Sequence, residues 1–287
     1  MADLALSILF SSLIFVIFKL FGTYRVQTLF GIIVNYVVAS LVGLLFYQGS
    51  TPVWEIPQKA WFPGTLLLGI LFILVFNLMA RTSQNLGVSV ASVATKMSLA
   101  VPVLFGIVLY DEQLGPLKSL GIVLALAAVY FSSVKASRIT LQKRALILPL
   151  LVFLGSGIID TSLKYLEENL VPGEESSLFS ATVFASAASV GLIFILVKAS
   201  KSPLRVNFRN LLGGIVLGVP NFFSIYFLLR ALQNEVLNSA SIFTINNVAI
   251  VMLSTLLGIL LFRERVSLLN WGGIAMAVVS IILVALF

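Results

Sequence analysis

The chain contains no cysteine and no histidine. Disulfides, thiolate nucleophiles, imidazole metal ligands, haem axial histidines and every histidine-based triad are thereby excluded. Charge is nearly as scarce: only 10% of the 287 residues are Asp, Glu, Lys or Arg, against roughly a quarter in an ordinary soluble domain. No glycine-rich phosphate loop and no pair of carboxylates at catalytic spacing appears. Neither ATP-driven work nor enzyme catalysis is expected, and no cofactor or metal is implied.

What fills the chain instead is apolar. Sixty per cent of its residues are hydrophobic, gathered into runs long enough to cross a bilayer, roughly 17–25 residues each. Ten spans are expected, at about 3–21, 27–48, 62–84, 87–110, 116–134, 145–166, 177–197, 211–232, 237–262 and 267–287. The first is read as a membrane helix and not a cleaved leader, because its amino end carries Asp3 and no basic residue. Pro102 and Pro220, inside spans four and eight, are expected to kink them and free backbone carbonyls, or to serve packing alone. The net charge of +7 sits in short loops beside apolar runs, so it reads as an orientation signal and not as a nucleic-acid surface.

The two halves repeat one another. Arg81/Arg230, Gln84/Gln233, Asn85/Asn234, Ala91/Ala240, Ser92/Ser241 and Thr95/Thr244 share one separation. Gly106/Gly258, Glu112/Glu264 and Gly121/Gly273 share a slightly longer one, and Ser11/Ser156, Ile14/Ile159 and Lys19/Lys164 a third. Residues 1–134 and 145–287 are therefore expected to be two five-helix repeats joined by a basic loop at 135–144. Five is odd, so the second repeat enters the membrane from the opposite side and the duplication is an inverted one. Of the 18 lysines and arginines, Lys59, Lys118, Lys164 and Arg230 fall on one side and Lys96 lies within a span; the remaining thirteen fall on the other side. The positive-inside rule then puts both termini outside the cell.

A charge near the centre of a span costs about 2.5–3.5 kcal/mol on insertion scales, so each one needs a reason. Lys96 lies in the middle of span four with Ser89 and Ser92 on its face. It either lines a cavity or snorkels in a packed pair. Ser156, Asp160 and Lys164 form a stripe on span six. Asp160 is read as a partner of Lys164 or as a proton or cation site, and its counterpart in the first half is Phe15. Asn77, Arg81 and Gln84 line span three as Tyr226, Arg230 and Gln233 line span eight, which suggests mirrored gates or plain helix-end snorkelling. Thr244, Asn246 and Asn247 place polar groups in span nine, where they bind a substrate or glue helices. Glu112 and Glu264 stand just before the next helices, where a carboxylate orders a helix start. Lys19 completes the set, late in span one.

Ten spans in two halves, a lysine late in spans one and six, and an acidic close to spans four and nine (Tyr110-Asp111-Glu112 and Phe262-Arg263-Glu264) followed by Gly121 and Gly273 resemble the EamA-like drug/metabolite transporters. The likeness covers essentially the whole chain. Asp111 and Arg263 depart from the usual glycine before the glutamate. The resemblance implies a secondary transporter, often an exporter of amino acids or similar metabolites, using alternating access to a central cavity. It also implies both termini in the cytoplasm, opposite to the charge count. The excess of interior cations favours an anionic or zwitterionic small molecule as the partner, in the plasma membrane of a bacterium, with the chain a monomer or homodimer. A proton-coupled multidrug exporter using Asp160 and a non-transporting scaffold subunit are the alternatives.

Overall fold

The computed structural model describes residues 1–47, 49, 51–110, 115–133, 143–172, 175–199, 207–232 and 239–286. Its helices are α1 (Ala2–Thr23), α2 (Thr28–Leu45), α3 (Phe62–Asn85), α4 (Val88–Met97), α5 (Ala100–Tyr110), α6 (Pro116–Ser133), α7 (Lys143–Asn169), α8 (Ser176–Ala199), α9 (Phe208–Leu232), α10 (Ser239–Phe262) and α11 (Leu268–Leu286). Among the described residues nine stretches are long and apolar enough to cross a membrane, one of them Val88–Phe105 formed by α4 with α5; the apolar part of α11, Leu268–Val284, is shorter. In hydrocarbon no water is available to the backbone, so a helix that satisfies its own amides is the stable form of each run. This is the all-helical, ten-span membrane architecture expected. Glu112, Asp111, Gln233, Asn234 and the 135–142 part of the connecting loop lie outside the described residues.

Span four is two helices. Proline has no amide hydrogen, so Pro102 leaves the Ser98 carbonyl without its helical donor, and the Val101 amide takes that carbonyl at 2.8 Å instead. At Pro220 no separate segment forms, and α9 continues through it as one helix. Between α3 and α4 the chain reverses at Gly87, whose φ of +123° suits glycine alone.

With side A defined as the membrane side where α1 ends, and side B as the side where it begins, successive spans alternate direction. The neighbours then follow a two-fold exchange of halves. α2 packs on α9 as α8 packs on α3; α1 packs on α9 as α7 packs on α3; α1 meets α10 as α7 meets α4 and α5. The α6–α11 pair is antiparallel and reciprocal. Gly121 faces Leu283 and Val284, while its repeat mate Gly273 faces Phe131 and Ser132, and a methyl group at Gly273 would lie 2.5 Å from the Ser132 amide nitrogen. Arg81 and Arg230 sit at opposite ends of α1. Arg81 lies one turn before Gln84, which bonds the Phe18 carbonyl, whereas Arg230 lies 3.6 Å from Asp3. Those two points of α1 are roughly 20–25 Å apart along its axis.

Lipid offers helices no hydrophobic reason to associate, so close backbone approach and polar bonds hold the bundle. Gly214 and Gly218 let α9 lie against Val34, Val38 and the backbone of α2. Asn221 donates to Asn35 at 3.1 Å across the same seam. Gly69 meets the backbone at Ser186 and Ala187 of α8, beside the Thr65–Ser186 hydroxyl pair at 3.1 Å.

On side B a short 3-10 helix, Val53–Gln58, leads into a buried cluster. The Glu175 carboxylate accepts from Lys59 Nζ at 2.6 Å, Trp61 Nε1 at 2.9 Å and Thr51 Oγ1 at 3.0 Å. These bonds, led by Lys59, hold Glu175 below its ordinary value of 4.5 against the opposing effect of burial. The bond to Glu175 likewise raises Lys59 above its ordinary 10.5. Glu175→Ala leaves the buried Trp61 donor unpaired and should cost about 1–3 kcal/mol, read as a lowered melting temperature. Because the Glu175 value is depressed, its contribution is present above pH 4.5 and is lost as pH falls through the folded value. Lys59 has the opposite sign: its contribution is full below 10.5 and is lost as pH rises through the raised value. The stability gap between wild type and Glu175→Ala should therefore stay constant across neutral pH and shrink at both extremes.

Candidate functional site

The break in span four sets the site. There the Ser98 hydroxyl shares its one proton between the Thr95 carbonyl at 2.5 Å and Asp160 Oδ2 of α7 at 3.0 Å, and Lys96, two residues earlier, is the charge that acts on this carboxylate. Lys96 and Asp160 attract one another without forming a direct ion pair, so a gap separates them. Lys96 is half-buried and Asp160 exposed. The exposure is not to lipid: Ile147, Leu151, Leu154 and Ile158 form the exposed apolar stripe of α7, and at 100° per residue Asp160 points to the opposite side. Asp160 therefore faces an interior space, with a cation and an anion across it at mid-membrane depth.

On side A a carboxylate joins several helices. Glu264, just after α10, accepts from the Val88 amide at 2.8 Å and the Ser89 hydroxyl at 3.3 Å, at the amino end of α4. Lys19 Nζ lies 3.8 Å from the same carboxylate and donates to the Gln84 carbonyl at 3.1 Å. Gln84 in turn donates to Phe18 and Thr28 at 3.1 and 3.2 Å. One cluster thus ties α1, α3, α4 and α10 together beside a polar cavity of about 520 Å³ that Ser133, Ser267 and Asn270 also line. Glutamate at a helix start is favourable because free amides and the positive end of the helix dipole meet it there. The helix concerned is not the one that follows in sequence. The start of α11 is already capped by Ser267 and Asn270, whose side chains take each other's amides at 3.2 and 3.1 Å, so Glu264 is left for α4.

On side B the mates of Glu264 and Gln84, Glu112 and Gln233, lie outside the described residues. Lys164, the repeat mate of Lys19, lies 3.7 Å from Glu168 on its own helix, and both are half exposed. The expected Asp160–Lys164 pair is absent: Lys164 has the nearer partner one turn on, and Asp160 turns to Ser98. Among the described residues α7 makes no substantial packing with α9 or α10, although α1 packs on both α3 and α4. Among the described residues α1 is thus more closely joined to its neighbours at side A than α7 is to α9 and α10.

The other expected site residues are dispersed. Asn77 donates to its own helix at the Ile73 carbonyl, 2.8 Å away. Asn246 is buried and accepts from Ser7 at 3.2 Å, joining α10 to α1; Asn247 beside it is partly exposed. Tyr226 belongs to an aromatic group with Phe46 and Phe222, centroids 5.5 and 5.7 Å away, and lies under the Arg230 guanidinium at 5.8 Å. Arg81 is exposed on side A. Ser98 was missed, although the signal was present: a proline frees the carbonyl four residues before it, and that residue is Ser98.

The sequence pattern of the EamA-like transporter family matches residues 4–134. An uncharacterised protein of Haemophilus influenzae is 31% identical over 231 residues, 79% of this chain and 76% of that protein. A protein of known crystal structure superposes with a TM-score of 0.58 at 17% identity, over 99% of this chain and 96% of its own, which shows a shared fold. A ten-span helical bundle with these matches has one family assignment: the chain belongs to the EamA-like transporter family.

Proposed function

We propose that the protein is a secondary transporter that exports a small zwitterionic metabolite, such as an amino acid, by alternating access between residues 1–134 and 145–287 acting as inverted repeats. The observation that carries this reading is the placement of Lys96 and Asp160 across one interior space at the break in span four. A zwitterion presents a carboxylate to Lys96 and an ammonium to Asp160, so each interior charge meets its opposite when substrate is bound. The Glu264–Lys19 cluster is the gate on side A, and loosening it lets side B close in turn. Side A carries most of the basic residues and is taken as cytoplasmic, in the plasma membrane of a bacterium.

Transport by purified protein in liposomes tests the site. Lys96→Met and Asp160→Asn should each insert normally and lose at least about tenfold in apparent affinity, the equivalent of about 1.4 kcal/mol. Unchanged affinity in both variants removes the zwitterion reading. If Asp160→Asn abolishes only the response to an imposed pH gradient while Lys96→Met is silent, the site is that of a proton-coupled exporter.

Glu264→Gln keeps the shape of the side chain and deletes its charge, weakening the side-A gate by about 1 kcal/mol. A cysteine placed at buried Ser92 should then be modified severalfold faster from side A than in the otherwise native chain; an unchanged rate would confine Glu264 to ordering α4.

Orientation is read in intact cells, which suits a chain with no cysteine of its own. Ala60→Cys on side B should react with an impermeant reagent from outside, and Ser137→Cys should not; the reverse pattern inverts the topology.

A further inference from the structure

A second cavity, of about 640 Å³, lies on the outer surface where α1 ends and α9 begins. Its walls are apolar, with Phe21 and Val26 on one flank and Leu212 and Val216 on the other. Leu212 and Val216 are among the exposed hydrophobics, so the groove opens toward the surrounding membrane and not toward Lys96. Arg25 and Arg209 both stand in its lining, no carboxylate does, and among the described residues neither arginine has an acidic partner. Its floor is kept low by Gly213, where a methyl group would come within 3.1 Å of Val26.

Arg25 is held there at a conformational cost. The end of α1 is closed by Val26 N–H to Phe21 O at 2.9 Å and Arg25 N–H to Gly22 O at 3.4 Å, a termination that sets Arg25 at φ +54°. Glycine or asparagine is the usual residue at that position, because a longer L side chain is strained in the left-handed region. Arginine in that place keeps a guanidinium at the mouth of the groove.

We propose that this groove holds an anionic phospholipid of the side-A leaflet, its phosphate met by Arg25 and Arg209 and an acyl chain lying along the α9 wall. Paired guanidinium groups suit phosphate oxygens, and an apolar trough beside them suits a chain and not a water-soluble anion. The proposal does not depend on what the central cavity transports.

Purified protein in phosphatidylcholine nanodiscs, with and without added phosphatidylglycerol, provides the test, read as the thermal unfolding midpoint. Phosphatidylglycerol should raise the midpoint of the native chain, and water-soluble glycerol phosphate should not. Arg25→Gln and Arg209→Gln should each lose most of that rise, whereas Arg265→Gln, removing a side-A arginine outside the groove, should keep it. Arg25→Gly separates conformation from charge. It relieves the left-handed strain and should melt higher than native in phosphatidylcholine, yet gain nothing from phosphatidylglycerol. No rise in the native chain, a rise unchanged by Arg25→Gly and Arg209→Gln, or a loss shared equally by Arg265→Gln would overturn the proposal.

Discussion

A peptide group in hydrocarbon has no water to turn to, and each unsatisfied one costs several kcal/mol. That constraint decides which parts of this chain can be irregular. Ten spans are helical because nothing else satisfies them, and the described break within one of them, at Ser98, is tolerated because the Val101 amide takes the Ser98 carbonyl and the Ser98 hydroxyl takes that of Thr95. The charges Lys96 and Asp160 sit at that same level for a related reason. Both are expensive in lipid, and a broken helix lining a cavity is where the expense is smallest.

The bundle around this level is held by shape more than by polarity. Gly69, Gly214, Gly218, Gly121 and Gly273 bring helices together at distances that leave no room for a methyl group. Hydrogen bonds such as Asn221 to Asn35 then fix rotation about each axis while contributing only about 0.6 kcal/mol apiece on average. The Gly121 and Gly273 contacts are reciprocal between the two halves of the chain.

Much of this was legible in the residues. Span number followed from run length, and the two-fold exchange followed from matched positions such as Gly121/Gly273, because a duplicated helix keeps the residues that touch its duplicated partner. Partners across the bundle were not legible. Periodicity places Lys164 one turn from both Asp160 and Glu168, and only the position of Ser98 on another helix decides between them. Glu264 meets a helix start, but which helix depends on Ser267 and Asn270 having already occupied the nearer one. The prolines show the same limit. Pro102 follows a junction between two helices and Pro220 lies within one, a difference that sequence pattern does not encode.

The Glu175 cluster fixes more than a loop. It fastens the segment entering α3 to the start of α8, and the Gly69 and Thr65 contacts continue that attachment deeper into the membrane. One helix from each half is thus riveted to a helix of the other at side B. A rocking motion that swings the halves as two intact blocks would have to shear a buried carboxylate off three donors at each turn of a cycle. The α3–α8 attachment at side B is therefore among the junctions of the bundle most costly to separate.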